Sequence, residues 1–383
     1  MAIRRRILSM GNFKMRNGQA QRAENRRILR TAVLLLLILS LLLHAADRVL
    51  VLKGAENRYY SAASTYGGFY HMRKNTVDVL FLGTSNAYCA FSPDALYRRY
   101  GIRSYNLASS QQSMLTSYYW LEEALRTQKP KAVVLDVFYA FYNTGNEGSF
   151  HKAFDFMRWS PVKVRALRDL HAYNPDYAPV SFLFPAVRYH ERWKELKKED
   201  FMLRQMEKDT TLKGYCPRWN TAGDGKFEPL SDTGRGNLTS EDQEEKIAGN
   251  RKKDGSPYLS RFIQEYMDAI FRDCKENNID LILVKTPVGV WSREKSSLIQ
   301  QYADRQGIPF YDFNREELYD AAGFVFAEDN TDILHANIRG ARKLTDYIGA
   351  VLSARGIEGT PDSQWERELD QNRKIYNILS AGL

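Results

Sequence analysis

Apolar and polar positions along this chain fall into short blocks with two different periods. Residues 77–82 form a β-branched apolar run closed by Gly83, the pattern of a buried strand. A helix is expected over 93–100, a second strand over 103–106, and a helix over 114–127 that Pro130 ends. Residues 131–137 read as a third strand and 258–277 as a long amphipathic helix. A fourth strand over 280–285 stops at Pro287, and a helix over 296–306, a fifth strand over 308–311 and a closing helix over 337–354 follow. Strands alternating with helices imply a parallel sheet covered on both faces. The right-handed crossover rule narrows the topology to a flavodoxin-like three-layer α/β sandwich with five parallel strands.

The spacing breaks once. The third and fourth strands lie far too many residues apart for a single crossover, so 138–256 is expected to be an insertion or cap. Its first part is aromatic and helix-like over 150–159, 161–170 and 185–196, and its second, 208–256, reads as a polar surface excursion. An insertion at the carboxyl edge of such a sheet shapes a substrate cleft or lies over it as a lid. The charge-dense run 188–195 reads as a carbohydrate subsite or as a solvated amphipathic helix. Residues 361–383 are expected to form a last amphipathic helix through Trp365, Leu369, Tyr376 and Leu379.

Residues 31–46 are leucine-rich and carry no formal charge. Charge explains this run. The 383-residue chain has a formal charge of +9, but residues 1–30 hold nine Lys and Arg against Glu24, which is +8 of that total. The remainder is a near-neutral globular body, so a nucleic-acid partner is not expected. A basic segment before an apolar run reads as a retained membrane anchor or as a signal peptide. The long basic region and the lack of a small-x-small cleavage site favour the anchor. The positive-inside rule then places the N-terminus in the cytoplasm and the body outside, on a single-pass cell-membrane protein. The expected divisions are a basic tail over 1–30, an anchor over 31–52, and a connector over 53–75. An α/β domain over 76–137 and 257–354, the insertion, and a helical tail over 355–383 complete the chain.

The three cysteines lack metal-ligand spacing and give no disulfide framework, and Cys89 reads as a small buried apolar residue. No Gly-rich phosphate loop follows a strand, so neither a cofactor nor a metal is expected.

Two segments carry candidate chemistry. Gly83-Thr84-Ser85-Asn86 places a serine at a strand-to-helix turn, where a hydroxyl is exposed at the carboxyl edge of the sheet. Asp332-Ile333-Leu334-His335 puts a carboxylate and an imidazole on one loop after the fifth strand. Serine ester chemistry needs a base within reach of the hydroxyl and a carboxylate on the other ring nitrogen, and Asp332 and His335 can serve both needs. Each segment alone is a weak signal. The expected topology brings both to one edge.

With these blocks the chain resembles the SGNH (GDSL-like) hydrolase superfamily. Gly83-Thr84-Ser85-Asn86 stands where that family has its first block. Asp332 to His335, followed by Asn337 and Gly340, is similar to its last, and Tyr105-Asn106-Leu107-Ala108-Ser109-Ser110-Gln111 to its second. The resemblance covers roughly 76–137 and 279–352. It implies Ser85 as nucleophile, His335 as base and Asp332 as its orienting carboxylate. It also makes Asn86, Asn106, Ser110, Gln111 and Asp136 candidates for the oxyanion or substrate side. Two departures stand out: Ser110 and Gln111 replace the oxyanion glycine, and no Gly-x-Asn-Asp follows the third strand, where Asp136, Tyr139 and Asn143 occur. Losing one oxyanion donor costs on the order of 10²–10³ in rate.

The anchor and these departures resemble the cell-envelope branch of the superfamily, the alginate O-acetyltransferase-type and lipoteichoic acid D-alanylation proteins. That resemblance implies a serine acyltransferase or esterase working on a cell-surface glycan or teichoic-acid-type polymer, beside a membrane-bound O-acyltransferase. Two other readings remain: a non-catalytic binding partner in such a complex, and an anionic-lipid scaffold based on the basic tail.

Overall fold

The computed structural model describes residues 2–51, 62–142, 147–201, 212–222, 227, 229–230 and 250–376. Two compact units divide them. One comprises residues 1–52 with 183–203, the other residues 53–182 with 204–383.

The first unit is built on helix α1, Ala2–Leu50. Its stretch Glu24–Leu50 is long and apolar enough to cross a membrane. Its leucines from Leu34 to Leu42 are exposed, so none of the described residues covers this apolar surface. Near the end of α1, Asp47 accepts a hydrogen bond from Ala186 N, and the Leu50 carbonyl accepts one from Arg192. Residues 185–196, expected as one helix, divide into Ala186–Tyr189 and a 3-10 segment, His190–Lys194, which buries no side chain. The charge density of that run leaves no apolar stripe to continue an α-helix.

The second unit holds a five-stranded parallel sheet: β1 (Val79–Gly83), β2 (Ser104–Ala108), β3 (Ala132–Asp136), β4 (Asp280–Lys285) and β5 (Phe310–Asp312). The order is β2-β1-β3-β4-β5, the flavodoxin-like order that the sequence predicts. Val79 is paired with Ser104 on one side and Ala132 on the other, Ala132 with Asp280, and Leu283 with Phe310. Every residue of β1, β2 and β3 is buried, as expected of parallel strands covered on both faces.

The alternation of side chains sorts the core into two layers. Val79, Phe81, Val134, Ile282 and Val284 share one apolar cluster with Ala87, Phe91, Leu96, Leu344, Ile348 and Leu352. The chain reaches β1 after helix α2 (Ala62–Phe69), and the helical residues of this cluster come from α3 (Ser85–Ala90) with its C-cap Phe91, α4 (Pro93–Tyr100) and the closing helix Ile338–Ala354. Phe81 stacks on Phe91 at 4.6 Å. On the opposite side, α2 lies against β2: Tyr105 donates its hydroxyl to Thr65 O at 2.7 Å and meets Phe69 edge-on. Helix α5, Met114–Leu125, contributes Trp120, which stacks on Tyr66 at 4.3 Å.

Three expectations need correction. Part of the segment expected as a connector, Ala62–Phe69, is a buried helix, because Tyr66 and Phe69 fall on one face and fill the gap above Tyr105 and Trp120. The excursion expected over 208–256 is not wholly at the surface: residues 212–217 are buried, and Leu212 and Tyr215 cluster with Ile338 and Ala341. The helix expected over 150–159 is Glu147–Phe154. The C-terminal helix is Ser363–Tyr376, with Trp365 and Leu369 buried, while Leu379 lies outside the described residues. Asn143, in the region after β3 that the resemblance examines, also lies outside them.

Candidate active site

The turn between β1 and α3 is one residue long. Gly83 ends the strand at a φ of +138°, and a Cβ there would meet Asp136 Cβ at 2.6 Å, so only glycine fits. Thr84 follows as the N-cap of α3. Its Oγ1 accepts from Asn86 N at 3.2 Å and donates to Asp136 Oδ2 at 2.8 Å. Asp136 is fully buried at the end of β3, and its other oxygen accepts from Phe138 N at 3.2 Å. Ser85 is the first residue of α3 and is half-buried. The turn sits between β1 and β3, where the strand order reverses direction, the usual place for a ligand crevice in open α/β sheets.

A buried charge group underlies this turn. Burial raises the Asp136 carboxyl above its ordinary value, against the opposing pull of the Lys285 ammonium and the hydrogen bonds from Thr84 and Phe138. Burial likewise pushes Lys285 down, to about 8, against the attraction of Asp136 and Asp312. The Lys285 ammonium donates to Thr286 O at 2.9 Å and lies 4.9 Å from the Phe138 ring centre.

The loop that carries His335 is fastened on several sides. Thr331 N donates to His335 O at 2.8 Å, Gly289 N to Ile333 O at 2.7 Å, and Asn337 N to Asp329 O at 2.8 Å. Asn337 caps the closing helix through Arg339 N and Gly340 N and donates its amide to Glu328 O at 2.6 Å and Asn220 O at 3.1 Å. At Gly340, a Cβ would approach Asp329 O to 2.2 Å, so glycine is required for the helix to start this close to the loop.

These two supports bring Ser85 Oγ to 2.8 Å from His335 Nε2. His335 Nδ1 lies 2.9 and 2.8 Å from the two Asp332 oxygens. With the proton on Nδ1, where Asp332 accepts it, Nε2 is left to accept the Ser85 hydroxyl. Asp332 Oδ1 also accepts from Leu334 N and His335 N, at 2.8 and 2.9 Å. Partial burial would raise the Asp332 carboxyl, but the hydrogen bond and charge of His335 and the two backbone donors outweigh it and hold it below its ordinary value. An ionised carboxylate, an imidazole and a hydroxyl in this order can deprotonate the hydroxyl as it attacks.

The remaining sequence candidates are dispersed around the turn. Asn86 is 1% exposed, and neither oxygen nor nitrogen of its side-chain amide has a hydrogen-bond partner among the described residues. Ser110 and Gln111 follow β2 at the same sheet edge, Ser110 half-buried and Gln111 exposed with a φ of +57°. Asn106 is fully buried and donates its amide to Phe91 O at 2.9 Å. Asn106 and Asp136, expected on the substrate side, are buried polar groups that brace α3 and its turn from within.

Sequence reasoning missed Thr84, Lys285 and the segment 212–222. That segment passes beside both halves of the site: Cys216 N donates to Tyr88 O at 2.8 Å, Ile338 N to Arg218 O at 2.8 Å, and Ala222 N to Asn330 O at 2.6 Å. The signal available was the apolar Leu212, Tyr215 and Cys216 within an otherwise polar stretch. Cys89 and Cys216 are both buried; burial above all, then the neighbouring Cys216 thiol, pushes the Cys89 thiol well above its ordinary value, so it is no rival nucleophile. Among the described residues, no group of three or more His, Cys, Asp or Glu is placed to hold a metal ion.

No protein-family model and no curated protein matches the chain. Among solved structures, an acetyl xylan esterase (Est2A) from the rumen bacterium Butyrivibrio proteoclasticus is similar over 75% of this chain and 66% of that one, at 10% identity and a TM-score of 0.29. The chain thus spans just under two thirds of that structure's length, and a likeness this slight carries no argument about activity.

Proposed function

We propose that the chain is a serine-dependent acyltransferase or esterase held at the cell membrane by α1, with its α/β unit outside the cytoplasm. Its substrate would be the acyl groups of a cell-surface polysaccharide or teichoic-acid-type polymer, and its partner a membrane-bound O-acyltransferase. The observation that carries this reading is the 2.8 Å approach of His335 Nε2 to Ser85 Oγ with Asp332 on the far nitrogen.

In this mechanism His335 takes the Ser85 proton as Oγ attacks an ester carbonyl, and then returns that proton to the departing alkoxide. The acyl group remains on Ser85. A second hydroxyl, from water or from a sugar, gives its proton to His335 as it attacks the acyl carbon, and His335 passes that proton to Ser85 Oγ as the acyl group leaves. We assign the negative charge of the tetrahedral intermediate to the Ser85 backbone amide and the Asn86 side-chain amide. Asn86 is adjacent to the nucleophile and its amide is otherwise unpaired.

Fluorophosphonate labelling of the full chain in native membranes tests this reading. Wild type is expected to label, and Ser85→Ala not at all. His335→Ala is expected to label slower by on the order of 10²–10⁴. Labelling that survives Ser85→Ala would overturn it. A non-catalytic role in the same complex is favoured by the engagement of Asn106 and Asp136 in the core, and polymer acylation that persists in Ser85→Ala would select it.

A further inference from the structure

A cleft of about 420 Å³ lies between α4 and the closing helix Ile338–Ala354, and neither Ser85 nor His335 lines it. It is nonetheless near them, because Ile338 on its wall is three residues past His335, at most about 11 Å of chain. Four arginines line the cleft: Arg98, Arg99, Arg342 and Arg373.

Three of them are paired. Asp94 accepts from Arg98 at 3.0 Å and from Arg373 Nε at 2.8 Å, Arg98 also pairs with Asp370, and Arg99 pairs with Asp346. Three carboxylates thus answer three guanidiniums, and Arg342 is left over. It is exposed and has no hydrogen-bond or ion-pair partner among the described residues.

A second, independent feature lies on the same wall. Tyr215 is 4% exposed, yet its hydroxyl has no hydrogen-bond partner among the described residues. A buried hydroxyl left unpaired is unusual in a native protein and calls for an acceptor. Tyr215 clusters with Ile338 and Ala341, and Ala341 is the neighbour of Arg342. Burial above all, with the Asp94 carboxylate adding to it, holds the phenol well above its ordinary value, so it acts as a donor at any physiological pH.

We propose that this cleft binds a monoanionic group offering two oxygens, a carboxylate or a phosphodiester, with Arg342 as its charge partner and the Tyr215 hydroxyl as a further donor. One surplus positive charge matches one negative charge. The planar guanidinium fork suits two oxygens of a single group, which a lone ammonium would not select. The site is separate from Ser85, so it stands or falls independently of the acyl-transfer reading.

Saturation-transfer NMR on the purified full chain in detergent micelles tests the proposal with three probes: dimethyl phosphate, galacturonate and neutral methyl glucoside. At least one anion is expected to bind with a Kd on the order of 1 mM and the glucoside not at all. Arg342→Gln and Tyr215→Phe are each expected to raise that Kd on the order of tenfold. Tyr215→Phe is expected to leave the melting temperature unchanged, since no hydrogen bond is lost. Binding of dimethyl phosphate alone would identify a phosphodiester, and of galacturonate alone a carboxylate. Binding of neither anion, equal binding of the glucoside, or affinities unchanged in both variants would overturn the proposal.

Discussion

Thr84 donates its hydroxyl to the buried Asp136 at 2.8 Å while accepting the amide of Asn86, so the residue before Ser85 is fixed both downward and along the chain. Strand β3 thereby sets where α3 begins, and with it the position of the Ser85 hydroxyl. Thr84→Val keeps the shape and removes both bonds, leaving a buried carboxyl short of a partner. A loss of about 1–3 kcal/mol in stability is expected. A displacement of Ser85 by about 1 Å would slow fluorophosphonate labelling on the order of 10²-fold. Thr84→Ser is expected to restore both. Normal labelling in a Thr84→Val protein that melts at a lower temperature would confine Thr84 to a structural role.

Asp332 is tied to its own loop as well as to His335. Its Oδ1 accepts from Leu334 N and His335 N, and an asparagine oxygen can accept the same two bonds. Asp332→Asn is therefore expected to fold as wild type. It replaces an ionised carboxylate, held below its ordinary pKa, with a neutral amide, which removes the charge next to the imidazole as it takes the Ser85 proton. Buried triad carboxylates are worth about 10⁴ in rate. The Asp332 side chain is 47% exposed, so the expected loss in labelling is smaller, on the order of 10². A labelling rate within twofold of wild type would show that His335 needs no orienting carboxylate.

Much of this arrangement is legible in the sequence because the β strands are local, unbroken apolar runs. Val79 to Gly83 and Asp280 to Lys285 announce themselves in that way, and the alternation of strand and helix then restricts the order. Ser85, Asp332 and His335 are legible because loop chemistry at one sheet edge is repeated in two short blocks. Other features are set by tertiary partners that no window contains. Ala62–Phe69 looks like a small-residue connector until Trp120 and Tyr105 supply the surface that it covers. The buried residues 212–217 are hidden within a polar stretch, because their burial depends on Tyr88 and Ile338, which are distant in sequence. The resemblance makes Asp136 a substrate-side candidate, whereas it packs against Gly83 and accepts from Thr84, contacts between two strands that no single window contains.

Lys285 supplies a pH signature. Its ammonium titrates near 10.5 when unfolded and, by burial, at about 8 when folded. Between these values the unfolded chain binds the proton more strongly, so stability rises with pH through that window. At this site the wild type is expected to gain about 2 kcal/mol from pH 8 to pH 10 relative to Lys285→Met. Urea unfolding of both proteins at the two pH values measures the difference. A difference that is constant with pH would mean that Lys285 keeps its proton in the folded protein throughout.

The C-terminal helix Ser363–Tyr376 covers a buried cation. Lys213 has a side chain only 2% exposed, pairs with Glu368, and lies 4.5 Å from the Trp365 ring centre. Burial pushes its ammonium below the ordinary value, and the charge and hydrogen bond of Glu368 oppose that shift. Removing residues 361–383 would expose Lys213 to water, which relieves its desolvation, but would also uncover its apolar surroundings and delete Trp365 and Leu369 from the core. Each of those two side chains contributes about 1.5–3 kcal/mol by burial, so the truncated chain is expected to lose several kcal/mol. Because Lys213 O accepts from Asn106 N at 2.9 Å, loosening this segment reaches β2 and, through Cys216 and Tyr88, the helix of Ser85. The truncated protein is therefore expected to label more slowly at temperatures where it is still folded, and Trp365→Phe, which keeps most of the apolar contact, to stay near wild type. Unchanged labelling in a truncated, folded protein would separate the C-terminal helix from the site.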